Sequence, residues 1–211
     1  CNTMSDSCCN GQLDVAALQG RQRRVLVQVL AINMLTFAMM VVGAVLSGSS
    51  SLLSGTLDNL GDALTYGMSL AVVGAASAVK ARVALFKSLL IFGAAVAVAA
   101  QIVWRINNLE APVVETMGIV ALLNLGANSL CLWLLSPYRH HDVNMSSVWE
   151  CSRNDVIEGF AVIGAAISVW VFTSGWPDVL IATVLLVMFL RSAIRILRGA
   201  WRDLYPLPVS G

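Results

Sequence analysis

Asp58 and Asp62 stand four residues apart in SLLSGTLDNLGDALTYGMS, and Cys151 and Asp155 stand four apart in ECSRND. On an α-helix this spacing puts each pair on one face. Both segments fall within stretches expected to span a membrane, where an ionisable side chain costs on the order of a few kcal/mol and by default marks a site or pathway. Three carboxylates and a thiolate form a donor set suited to a four-coordinate, roughly tetrahedral divalent ion. The opposing reading is a polar lining that hydrogen-bonds Ser, Thr or a neighbouring helix. Three unpaired carboxylates at membrane depth, however, need a counter-charge.

Other polar groups extend or flank this set. Ser51, Ser54, Thr65 and Ser69 continue the Asp58–Asp62 face as a polar stripe. Glu158 lies one turn beyond Asp155, either as a further acid on an ion or proton path or as the partner of a basic group elsewhere. Taken alone, Cys151 is a small buried hydrophobe, and its place one turn before Asp155 is what makes it a ligand candidate. Cys131 has no such neighbour and reads as packing. Arg153 is about 200° around the helix from Cys151 and Asp155, so Glu150 or another helix is its expected partner. Asn124 and Asn128 share a face and are expected to hydrogen-bond between helices. Asp178, directly after Pro177, is an ordinary helix-start signal.

The elements that must position these groups follow from composition. Of 211 residues 58% are hydrophobic and 12% charged, whereas soluble domains spend about a quarter of their residues on charge. A formal net charge of +1 gives no argument for a nucleic-acid partner. The five cysteines are odd in number and irregularly spaced, which argues against a disulfide framework. No apolar run followed by a small-residue cleavage site marks a signal peptide near the start.

Apolar segments long enough for a hydrocarbon core of roughly 30 Å run over 25–46, 52–79, 83–104, 112–135, 143–173 and 177–201. The expected fold is therefore an all-α bundle of six transmembrane helices over 25–203. A cytosolic tail over 1–24 carries Cys8 and Cys9, and a short tail over 204–211 closes the chain. With the N-terminus inside, Arg21, Arg23, Arg24, Lys80, Arg82, Lys87, Arg139, Arg191, Arg195, Arg198 and Arg202 flank the cytoplasmic side, and Arg105 alone lies outside. This bias predicts an N-in, C-in topology. The polar first half of the fifth span leaves a five-span alternative with a re-entrant or soluble segment, which would put the Arg-rich tail outside. At 1.5 Å per residue, Asp58 and Asp62 lie about 10–16 Å in from the outer side, and Cys151 and Asp155 about 12–18 Å in from the cytoplasm. Antiparallel neighbours would bring both pairs to the midplane.

The segments SGSSSLLSGTLDNLGD and DVNMSSVWECSRNDVIEGFAVIGA, with the spacing from Asn144 to Cys151 and on to Asp155, resemble the cation diffusion facilitator family. The resemblance extends to span count and order. It implies a transporter rather than an enzyme, with metal ligands Asp58, Asp62, Cys151 and Asp155, and a homodimer in a cell membrane, expected to be a bacterial inner membrane. The usual fifth-helix His is Cys151 here, as in a subgroup with CSRND and a Cys-rich start. The family's cytosolic metal-binding domain is absent after the sixth span of this sequence.

A thiolate among carboxylates favours softer ions over Mg²⁺ and Ca²⁺, so the expected cargo is Zn²⁺ or Cd²⁺, with no resident cofactor. Ligands must lose protons to bind metal, which makes proton-coupled efflux by alternating access the expected mechanism. Exchanging His for Cys151 moves the ordinary ligand acidity from near 6.5 to near 8.5, predicting a stronger pH dependence of loading. Cys8 and Cys9 would either capture soft metal at the cytoplasmic face or belong to a dispensable tail. Two rivals are an intramembrane aspartyl protease, faintly echoed in Asn59-Leu60-Gly61-Asp62, and a non-transporting helical scaffold. Neither explains Asp58 and Cys151 together.

Overall fold

The computed structural model describes residues 20–71, 77–139 and 143–204. Among these, the chain forms α1 (Gly20–Ser47), α2 (Ser50–Ala71), α3 (Ser77–Asn107), α4 (Val114–Leu135), α5 (Val143–Phe172) and α6 (Trp176–Leu204). A 3-10 turn, Ser136–Tyr138, follows α4, and the described residues contain no strand. The protein is an all-helical membrane protein. Gly20–Ser47, Leu89–Asn107, Val114–Tyr138 and Val148–Phe172 are each long and apolar enough to cross a bilayer. Asp58, Asn59 and Asp62 dilute the apolar character of α2, although its 22 residues reach about 33 Å at 1.5 Å per residue.

Two boundary expectations meet the backbone differently. Residues 77–79 open α3 rather than close the second span, because Lys80 and Arg82 are good helix formers and carry the helix through the basic stretch. The fifth segment is one uninterrupted helix from Val143 to Phe172, of which Val148–Phe172 is long and apolar enough to cross a bilayer. Its polar residues are sorted by face: Cys151, Ser152 and Asp155 are buried, whereas Arg153 is exposed.

Helices α1, α2, α4 and α5 pack around a common interior, while α3 and α6 pair with each other and lie against α2. Small residues allow the close approaches. A Cβ on Gly43 of α1 would come within 2.6 Å of Val120 on α4, the kind of backbone proximity that membrane helices use in place of hydrophobic drive. One apolar cluster, around Met40, Leu52, Met117 and Val162, joins α1, α2, α4 and α5. A second, around Leu57, Ala95, Ile102 and Leu186, joins α2 to α3 and α6. The third, around Leu26, Val29, Tyr66, Cys131 and Val148, closes the other end of the four-helix group. Large apolar side chains such as Leu35, Val45, Leu122 and Phe160 face outward, as lipid-facing surfaces do.

The turn between α1 and α2 is held by both members of the α3–α6 pair. Gly48 has φ +69°, a left-handed conformation that glycine adopts without a Cβ clash. Its carbonyl accepts a hydrogen bond from the Arg105 guanidinium at the end of α3. Asp178 in the first turn of α6 accepts from Ser49 Oγ at 2.6 Å, Ser50 N at 2.7 Å, and Ser51 N and Oγ at 3.0 and 2.6 Å. The acid read as a start signal for its own helix therefore also caps the N-terminus of α2, whose first backbone N–H groups have no partner within the helix.

Candidate metal-transport site

Helices α2 and α5, which carry the two predicted pairs, are in contact. Asp58 is half-buried on α2 and shares a hydrogen bond with Glu158 of α5. One turn further along α2, Asp62 is 9% exposed and its Oδ2 accepts a hydrogen bond from Tyr66 Oη at 2.9 Å. Opposite, Cys151 is 6% and Asp155 8% exposed. Tyr66 lies within electrostatic range of Asp62, Cys151 and Asp155 together. One buried hydroxyl is thus bonded to one predicted position, Asp62, and lies within electrostatic range of two others, Cys151 and Asp155.

Glu158, left open between two roles by the sequence, meets an acid and not a base. A hydrogen bond between two carboxyl groups requires a proton on one of them. Among the described residues, no three His, Cys, Asp or Glu side chains close into metal-ligating geometry. Asp58 is engaged by Glu158 and Asp62 by Tyr66, which directs the two aspartates to different neighbours.

Tyr66, bonded to Asp62, is a candidate site residue that sequence reasoning missed. It continues the 58–62 spacing by one more turn, but a tyrosine in an apolar helix reads as packing. Only the stripe Asp58, Asp62, Tyr66 could have flagged it. The polar stripe also divides by role. Ser51 is committed to Asp178, Ser54 Oγ donates to the Ala182 carbonyl of α6 at 3.0 Å, and Thr65 Oγ1 donates to the Gly61 carbonyl at 2.6 Å. Its outer part therefore fastens α2 to α6. Ser69 lies outside the described side chains, and Cys8 and Cys9 outside the described residues.

The asparagines split in the same way. Asn59 Nδ2 donates to Asn124 Oδ1 at 3.0 Å and approaches Met40 Sδ at 3.2 Å, tying α2 to α4 and α1 as expected for Asn124. Cys131 is buried as a free thiol against Tyr66 and Val29. Arg153 stacks over the Trp149 ring, 5.5 Å from its centroid, away from the buried face.

The family described as the cation efflux transmembrane domain matches residues 26–205, a stretch that covers all six helices almost completely. The chain belongs to the cation efflux family. A comparison with curated proteins returned no match. Membership makes this cation efflux protein a multi-pass membrane transporter of metal cations rather than an enzyme. It also bears out the resemblance read from the second and fifth segments. The protease and scaffold readings fall with it.

Proposed function

We propose that this protein exports Zn²⁺ or Cd²⁺ from the cytoplasm in exchange for protons. Asp58, Asp62, Cys151 and Asp155 bind the ion between α2 and α5. The observation supporting this reading is that buried Asp62, Cys151 and Asp155 all lie within electrostatic range of Tyr66 in the bundle interior. A thiolate with carboxylates favours soft and borderline ions, and the metal displaces the protons those ligands hold. When the ion leaves to the outside, the emptied carboxylates take protons back, and the Asp58–Glu158 contact is one place where a proton resides. Alternating access then returns the protonated carrier to the cytoplasmic side.

Six crossings with both termini in the cytoplasm place the basic flanks inside. The membrane is taken to be a bacterial inner membrane and the working unit a homodimer, as the family resemblance implies. Purified protein in proteoliposomes carrying an internal pH dye tests the reading. Zn²⁺ and Cd²⁺ should each drive proton movement opposite to the metal, with Mn²⁺ weaker. Metal uptake with no accompanying proton flux would overturn the coupling.

A further inference from the structure

Three buried side chains on α1, α4 and α5 each carry a polar atom with no hydrogen-bond partner among the described residues. Asn33 is 1% exposed, and neither its Nδ2 nor its Oδ1 is partnered among the described residues. The same holds for Asn128 Oδ1 and Ser152 Oγ, both buried. Buried polar groups are nearly always hydrogen-bonded to protein or to ordered water, and surrounding hydrocarbon supplies neither.

Printed contacts fix the relative heights of these residues. Asn59 meets Asn124, and seven residues further along both helices Tyr66 and Cys131 share a cluster. Asn128 therefore sits level with Asp62 and Ala63. On α1, Met40 meets Asn59 and Val29 meets Tyr66, so Asn33 is near the height of Tyr66. On α5, Glu158 meets Asp58 and Val148 joins the Tyr66 cluster, which puts Ser152 between Asp62 and Tyr66. All three lie within about one helical turn, roughly 5 Å, along the bundle, and all face its interior.

We propose that Asn33, Asn128 and Ser152 line an internal water-binding chamber between α1, α4 and α5, bordered by Tyr66 and Cys131. An amide presents two donors and an acceptor, and a hydroxyl presents one donor and two lone pairs. Such neutral groups lack the charge to hold a bare divalent ion, but they match water, which in protein interiors makes about three hydrogen bonds to otherwise unpaired groups. The chamber borders Asp62 through Tyr66. A consequence, which does rest on the transport reading, is that an ion at Asp62 keeps part of its hydration shell on the chamber side. The chamber itself stands independently of what is transported.

Radiolytic hydroxyl-radical labelling of the full chain in lipid nanodiscs, free of metal, tests the chamber directly. Radicals form from water, so a buried side chain is modified where water touches it. Tyr66 and Cys131 are each 1% exposed, and Met34, neighbour of Asn33 in sequence, is 53% exposed toward lipid. After correction for intrinsic reactivity, Tyr66 and Cys131 should be labelled severalfold faster than Met34. Asn33→Leu combined with Asn128→Leu should bring them down to the Met34 rate, with helicity and melting retained. Wild-type labelling of Tyr66 and Cys131 no faster than Met34 would overturn the proposal, whatever the variants do. So would labelling unchanged in a folded double variant. Zn²⁺ transport plays no part in this readout, so a failed chamber and a failed transport mechanism are told apart.

Discussion

Asp178 Oδ1 accepts from both the backbone N–H and the hydroxyl of Ser51, at 3.0 and 2.6 Å, across 127 residues of sequence. Oδ2 of the same carboxylate takes the Ser50 N–H at 2.7 Å. The side chain is 1% exposed, at the N-terminal ends of two helices whose dipoles both favour a negative charge. It anchors α2, which carries Asp58 and Asp62, to α6 at one end of the bundle.

Removing that anchor should be felt in stability before transport chemistry. Asp178→Ala leaves buried N–H and hydroxyl groups unpaired and should destabilise the protein by about 2–3 kcal/mol, read as a lowered melting temperature in detergent. Asp178→Asn should lose less, because its amide oxygen still accepts. Combined with Ser51→Ala, a double-mutant cycle should show coupling on the order of 1 kcal/mol or more. Additive effects would mean the contact carries no energy.

Gly48→Ala should be unfavourable because the left-handed φ of +69° costs an L-residue roughly 1–2 kcal/mol. A melting temperature equal to wild type would contradict this reading of the turn. The same substitution at Gly93, where a Cβ meets nothing within 4 Å, serves as the tolerated control.

Tyr66→Phe keeps the buried ring and removes only the hydroxyl bonded to Asp62. Groups that orient metal ligands typically contribute 10–100-fold to affinity, so Zn²⁺ binding by calorimetry should weaken by about 10-fold while the melting temperature changes little. Unchanged affinity would reduce Tyr66 to a packing residue.

Cys151→His tests the pH dependence. A thiol with ordinary acidity near 8.5 is still protonated between about pH 6 and 8, whereas an imidazole near 6.5 has largely lost its proton by the upper end of that range. Each proton displaced adds up to about tenfold in apparent affinity per pH unit. Wild-type Zn²⁺ affinity should therefore keep rising to pH 8, while that of Cys151→His levels off above about pH 7. Superimposable curves would show that the thiol is not a ligand. The Cys→His exchange should also narrow the preference for Cd²⁺ over Zn²⁺.

The helices and the α2–α5 pairing were legible in the sequence for a clear physical reason. Hydrocarbon tolerates acids only where they face an interior, so Asp58, Asp62, Cys151 and Asp155 announced both a face and a depth. Periodicity along α5 also sorted Arg153 to the outside. What stayed hidden was contact between distant parts of the chain. Asp178 matched a local start signal completely, and nothing nearby in sequence points to Ser49, Ser50 and Ser51. Tyr66 was hidden because a phenol suits apolar packing as well as polar contact. The span boundary expected at residue 79 differs from the structure because Lys80 and Arg82 extend helices readily, and α3 begins at Ser77.

The central claim is that one ion sits among Asp58, Asp62, Cys151 and Asp155, with a single sulfur. X-ray absorption at the zinc edge, on Zn²⁺-loaded purified protein, reads the coordination shell itself. The account predicts one sulfur at about 2.3 Å and oxygens at about 2.0–2.2 Å, with the sulfur lost in Cys151→Ala. A shell without sulfur in the wild type, or a sulfur that persists in Cys151→Ala, would contradict it.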